Sequence, residues 1–115
     1  MEKENAILKK SFDFALHIIE FTELLEESKK YVIARQLLKS GTSIGANVRE
    51  AQSCESKADF IHKMKIAQKE AEETEYWLLL CKHSKNYPFD ENLMEQISEI
   101  LKLLTSIIYT ANKNL

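Results

Sequence analysis

A chain of 115 residues and 13.4 kDa can build one continuous hydrophobic core but not two. With 44% hydrophobic and 30% charged residues, and only two Gly and one Pro, it lacks the turn residues of a sandwich or barrel and reads as almost wholly helical. The net charge of -2 is not the overall basic excess usual in nucleic-acid proteins, and no apolar run approaches the roughly 18 residues of a membrane span.

The first predicted helix covers about residues 5–26, with Ile7, Phe14, Ile18, Phe21 and Leu25 on one stripe and Leu8, Phe12, Ala15 and Ile19 beside it, a wide face expected to be buried. The second, about 29–54, turns Ile33, Leu37, Ile44, Val48 and Ala51 inward. Arg35, Lys39, Thr42, Ala46 and Arg49 recur at helical spacing on its other side. Both glycines of the chain, Gly41 and Gly45, fall inside this helix. Each costs about 1 kcal/mol there relative to Ala, so the pair predicts close backbone contact with a neighbouring helix or subunit.

Ser56 is the expected N-cap of a third helix, about 57–84, with Asp59 at its third position. Phe60, Met64, Ala67, Ala71, Leu78 and Cys81 form its inward set. Asn86-Tyr87-Pro88-Phe89 is the one clear loop, since Pro88 stops helix continuation. Asp90 can then cap a fourth helix, about 90–112, striped by Leu93, Ile97, Ile100, Leu104, Ile107 and Ala111. Short connections between long amphipathic helices predict an all-α, antiparallel up-down-up-down four-helix bundle, a single domain over residues 1–115. Ile61, Ile66, Tyr76, Trp77, Leu79, Leu80, Ile108 and Tyr109 fall on or beyond the edges of the core stripes. Another copy of the chain is expected to cover part of that surplus.

The charge is unevenly spread. Residues 1–28 carry three Lys against seven acids, residues 29–69 nine Lys or Arg against three acids, and residues 70–115 four Lys against eight acids. Any basic surface is therefore a band flanked by acid. Its candidate polyanion-binding residues are Arg35, Lys39, Arg49, Lys63, Lys65 and Lys69, and repetition in an oligomer would strengthen the field.

No pattern supports catalysis. Gly41-Thr42-Ser43-Ile44-Gly45 matches G-x-S-x-G, but a nucleophile elbow needs a strand before the Ser, and this segment is helical. A di-iron bundle needs two Glu-x-x-His motifs and two further Glu, whereas the nearest match here is the single Asp59-x-x-His62. His17, His62 and His83 are scattered, so no metal, cofactor or small-molecule substrate is expected. Glu70, Glu72, Glu73 and Glu75 read as a solvated face or ion-pair partners. Asn47, beside inward Ile44 and Val48, forms with Glu50, Glu73 and Glu75 a candidate polar layer between the second and third helices, with Lys63, Arg35 or Arg49 as partners. Cys54 and Cys81 lack CxxC or His spacing and read as reduced thiols. The N-terminal Met1-Glu2-Lys3-Glu4-Asn5 has no signal-peptide character, so the expected location is the cytoplasm.

Ser43-Ile44-Gly45-Ala46-Asn47-Val48-Arg49-Glu50-Ala51, then Ser56-Lys57-Ala58-Asp59-Phe60-Ile61-His62-Lys63, then Ile66-Ala67 and Glu72-Glu73-Thr74-Glu75-Tyr76-Trp77-Leu78, resemble the bacterial four-helix bundle proteins called 23S rRNA intervening-sequence proteins. The similarity spans about residues 10–110. Gly45 stands where many members have Pro. The resemblance implies a ring, commonly a homopentamer, in a family most of whose members have no established activity. Similar bundles act as accessory proteins of diversity-generating retroelements, where a strongly basic ring engages nucleic acid and a reverse transcriptase. The acidic balance of this chain departs from that pattern. Ser43, Ala46, Asn47, Glu50, Phe60, Glu73 and Glu75 match family positions and carry over as assembly or binding candidates, none as catalytic. The expectation is a non-enzymatic oligomeric module for RNA or a ribonucleoprotein, with a protein-protein scaffold as the alternative.

Overall fold

The computed structural model describes residues 2–114; residues 1 and 115, included in the expected domain, lie outside them. It is an all-α fold of four helices: α1 (Glu2–Glu27), α2 (Tyr31–Ala51), α3 (Lys57–His83) and α4 (Glu91–Lys113), with no strand among the described residues. The molecule measures 47 × 20 × 18 Å, so the helices lie along its length. Contacts join α1 to α2, α2 to α3, α3 to α4 and α4 to α1. The backbones of the diagonal pairs lie farther apart, so α1 is opposite α3 and α2 opposite α4 across the core.

Cross-helix pairs give the register. Lys3, Lys10 and His17 of α1 reach Ser106, Glu99 and Gln96 of α4, and Ser40 and Glu50 of α2 meet Thr74 and Lys63 of α3. Gln68 and Lys82 of α3 meet Thr105 and Glu91 of α4. In each pair of helices the partner number falls as the other rises.

Local chemistry explains most boundaries. Ser56 caps α3, its side chain accepting from Asp59 N at 3.1 Å, and Asp90 caps α4, accepting from Asn92 N at 2.9 Å. The α1–α2 turn departs from expectation: α2 begins at Tyr31 rather than 29. Lys29 N donates to Glu26 O and Lys30 N to Leu25 O, the paired bonds of a Schellman stop, with Lys29 at φ 63 where glycine is usual. At its other end α2 stops at Ala51, short of the expected 54.

The core follows the predicted stripes, with four corrections. Phe12 and Ile19, expected beside the buried face of α1, are 53% and 42% exposed. Ile61 and Ile108, assigned to the edge, are buried, as are Ala34 and Gly41. Ile33, Phe60 and Ala111 are only partly buried, at the margins of their stripes. Ser11 and Thr22 enter the core with their hydroxyls bonded to Leu8 O and Ile19 O of their own helix. No buried side-chain nitrogen or oxygen lacks a hydrogen-bond partner among the described residues.

The two glycines differ in what they touch. A Cβ on Gly41 would lie 2.9 Å from both Cγ1 and Cγ2 of Ile18, which is fully buried. A Cβ on Gly45 would meet the Ser11 carbonyl oxygen at 3.4 Å, an ordinary contact. Gly41→Ala is therefore expected to destabilise, because overpacking costs about 1–3 kcal/mol against the roughly 1 kcal/mol that Ala gains in a helix. Gly45→Ala is expected to raise the melting temperature by about 4 °C. Thermal melts of the two variants should move in opposite directions, and a common direction would show that Ile18 does not set the α1–α2 distance.

Candidate functional site

The groove between α2 and α3 carries most of the polar residues singled out by the sequence. Ser43 Oγ donates to Lys39 O at 2.8 Å and Asn47 Nδ2 to Ser43 O at 2.9 Å, both within α2, so Ser43 is a helical serine bonded to its own backbone. Glu50 reaches across the groove, accepting from Lys63 Nζ at 2.7 Å. That hydrogen bond, with the Glu50 charge behind it, raises the Lys63 pKa above its ordinary value. Glu73 accepts from the indole Nε1 of Trp77 at 3.2 Å. Burial, then the neighbouring Glu73 charge, raises the Glu70 pKa, while Lys69 and Lys39 oppose the rise.

Two of the expected groupings divide. Asn47, Glu50, Glu73 and Glu75 do not form one connected polar layer. Asn47 bonds within its helix, Glu50 pairs with Lys63, Glu73 with Trp77, and Glu75 stands apart, partly buried. The basic band also splits. Lys39 of α2 and Lys69 of α3 act on one carboxylate, Glu70, with Lys63 two turns along, whereas Lys65 is exposed on α3 about 160° round the helix from Lys63. Arg49 instead lines the groove between α1 and α2, and Arg35 is exposed on α2.

That α1/α2 groove has a volume of about 150 Å³ and is lined by Leu8, Ser11, Phe12, Ala15, Thr42, Gly45, Ala46 and Arg49. Gly45 and Ala46 keep it open, Phe12 and Leu8 make it apolar, and Leu16, Ile19 and Leu38 extend exposed apolar surface around it. At the end of the bundle a cavity of about 670 Å³ has Phe60, Ile107 and Ala111 among its walls and Glu2, Lys3 and Lys57 among its charged groups. Among the described residues no group of three or more His, Cys, Asp or Glu could hold a metal ion. His17 Nδ1 lies 3.0 Å from Gln96 Oε1, and His62 and His83 are exposed. No helix among the described residues is long and apolar enough to cross a membrane.

One buried polar pair escaped the sequence reading. Ser40 and Thr74 are fully buried between α2 and α3, with Oγ and Oγ1 2.8 Å apart and Thr74 Oγ1 also 2.8 Å from Glu70 O. Thr74 has one hydroxyl proton, so both short contacts are satisfied when Ser40 donates to Thr74 and Thr74 to the carbonyl. The signal was present: Ser40 lies one turn from inward Leu37 and Ile44, and Thr74 between inward Ala71 and Leu78. Cys81, also buried, has its thiol pKa pushed up to about 11 by burial. Cys54 is partly buried.

The model of the 23S rRNA-intervening sequence protein family matches residues 3–106. A crystal structure of a protein of unknown function from the S23 ribosomal protein family of Bacteroides thetaiotaomicron is 46% identical, with a TM-score of 0.87 over 93% of this chain and 98% of that one. No curated protein matches the chain.

Thr74→Val leaves the Ser40 hydroxyl without its partner in the core and is expected to cost about 1–3 kcal/mol, whereas Ser40→Ala leaves Thr74 still bonded to Glu70 O and should cost less. The double variant should cost less than the two singles added, and strict additivity in denaturant titrations would show that the hydroxyls do not act as a pair. Cys54 should react with a thiol reagent in the folded protein and Cys81 only after unfolding. Because the Cys81 thiol ionises near 9.0 when free and near 11 when folded, the unfolded chain loses this proton first. Stability should fall as pH rises between these values, and a Cys81→Ala variant should lose that part of the pH dependence.

Proposed function

The chain belongs to the 23S rRNA-intervening sequence protein family, and from that premise we propose that it is a non-enzymatic, oligomeric helical module that binds RNA or a ribonucleoprotein in the cytoplasm. The observation that carries the reading is that Lys39 of α2 and Lys69 of α3 act on one carboxylate, Glu70, with Lys63 meeting α2 two turns along the same helix pair. Salt-dependent phosphate binding needs such a cluster rather than a basic chain.

The protomer in this proposal is an antiparallel up-down-up-down bundle, supported by the descending register of all the cross-helix pairs. The assembly is a homopentameric ring. Its support is the exposed apolar surface that Phe12, Leu16, Ile19 and Leu38 form around one groove, which a neighbouring copy would cover. A ring repeats the α2/α3 lysines in every copy, so a protomer of net charge -2 still presents a periodic basic field. The two cysteines are free thiols, as suits a reducing compartment.

The test is light scattering on a size-exclusion column, with nucleic-acid absorbance followed at about 50 mM and about 200 mM salt. Wild type should elute as an oligomer that carries RNA at low salt and sheds it at high salt, since six phosphate contacts weaken affinity about a thousandfold over that range. The Lys39→Glu/Lys69→Glu variant should keep the oligomer mass and lose the RNA. An RNA-free oligomer at both salts would replace this reading with the protein-protein scaffold.

A further inference from the structure

The exposed apolar side chains of this bundle are not one patch. Phe12, Leu16, Ile19 and Leu38 flank the α1/α2 groove, while Tyr76, Leu79 and Tyr109 lie on α3 and α4. Because α1 is opposite α3 and α2 opposite α4, the α1/α2 and α3/α4 edges are on opposite sides of the molecule. The two edges also differ in shape. The first holds a hollow of about 150 Å³, kept open by Gly45 and Ala46. The second carries Tyr109, 66% exposed, as a projecting ring.

Resting on the oligomeric reading above, we infer that copies of this chain associate head to tail, the α1/α2 groove of one receiving the α3/α4 edge of the next with Tyr109 as the inserted side chain. Size and chemistry both fit. The hollow has the volume of one aromatic side chain, its walls are apolar at Leu8, Phe12 and Ala15, and Arg49 lies at it. A guanidinium there can stack on the incoming ring or donate to its hydroxyl. Tyr and Arg are the residues that dominate well-packed interface centres.

The register selects Tyr109 over Tyr76. Gly45 of the groove lies against Ser11, between the α2 residues Ser40 and Glu50 that meet Thr74 and Lys63. That places the groove near the level of Gln68, which bonds Thr105 of α4. Tyr109 is one turn from Thr105, about 6 Å along the axis, whereas Tyr76 is about twice as far the other way from Gln68. Copies standing side by side thus bring Tyr109 within a helical turn of the hollow. The symmetric alternative, groove against groove, would set hollow against hollow and leave Tyr109 in water. A head-to-tail contact uses two different surfaces and so builds a ring when its rotation closes.

The experiment mixes two surface variants. Ala46→Glu blocks the groove and Tyr109→Glu removes the inserted ring; both positions are exposed, so both proteins should keep the wild-type helix content. Each variant alone should be monomeric, with association weakened at least about 30-fold, the loss typical of a central interface residue. An equimolar mixture should form a discrete heterodimer of twice 13.4 kDa, because one groove and one ring remain intact and the chain cannot extend. An Ala46→Glu monomer with Tyr109→Glu still oligomeric, or a mixture that stays monomeric, would overturn the head-to-tail pairing while leaving oligomerisation standing. A monomeric wild type would overturn the oligomeric reading itself.

Discussion

The structure depends on the contact made by one and a half turns in the middle of α2. Successive residues of a helix point about 100° apart, and here each direction meets a different demand. Ser40 turns to α3 and bonds Thr74. Gly41 turns to α1 and lets Ile18 approach to a distance at which a methyl would collide. Thr42, with Gly45 and Ala46, forms the floor of the outer groove, and Ile44 fills the core. Moving this segment by one residue would place Gly41 where Ser40 must bond and a hydroxyl against Ile18. Burial alone tolerates sliding between helices; a hydroxyl pair and a backbone-level contact do not. Register along the rest of the bundle follows from that one anchored turn.

This anchoring also explains which parts of the molecule were legible in the sequence. The stripes of α3 and α4 were readable because Met64, Ala67, Ala71, Leu78 and Leu93, Ile97, Ile100, Leu104 recur at helical spacing and are buried where they recur. The Ser56 and Asp90 caps were readable because short polar side chains before an apolar run have one favoured use. The start of α2 was not, since its stop signal is Lys29 in a left-handed conformation and no glycine announces it. Phe12 and Ile19 were misassigned because hydrophobicity marks what prefers to leave water, not which neighbour removes it. Ser40 and Thr74 went unnoticed for the converse reason. Polar residues on an apolar stripe look like interruptions until their partner, 34 residues away, is known.

The electrostatics show the same distinction between composition and placement. A charge count over residues 29–69 treats Arg49 and Lys63 as members of one band. Along α2, however, Arg49 and Glu50 point in different directions, one to the α1 groove and the other to Lys63 of α3. Two basic features result, and their surroundings suit different ligands. Lys39 and Lys69 share Glu70 on a polar face, which leaves them hydrated and able to meet phosphates. Arg49 lines the same groove as Leu8, Phe12 and Ala46, where a guanidinium is better matched to an aromatic ring than to a polyanion.

The placement of polar links sharpens that division. The α1/α4 face is crossed by Lys3–Ser106, Lys10–Glu99 and His17–Gln96, the α2/α3 face by Glu50–Lys63, and the α3/α4 edge by Gln68–Thr105 and Lys82–Glu91. The α1/α2 groove opposes this pattern with glycine, alanine and exposed Phe12. A copy seated there and another on the α3/α4 edge would leave the α1/α4 and α2/α3 faces free. In a ring, those faces point to the inside and the outside, so the lysines of α2 and α3 would line one continuous surface. In the proposed ring, assembly and polyanion binding would use different sides of the same bundle, and neither would compete with the other.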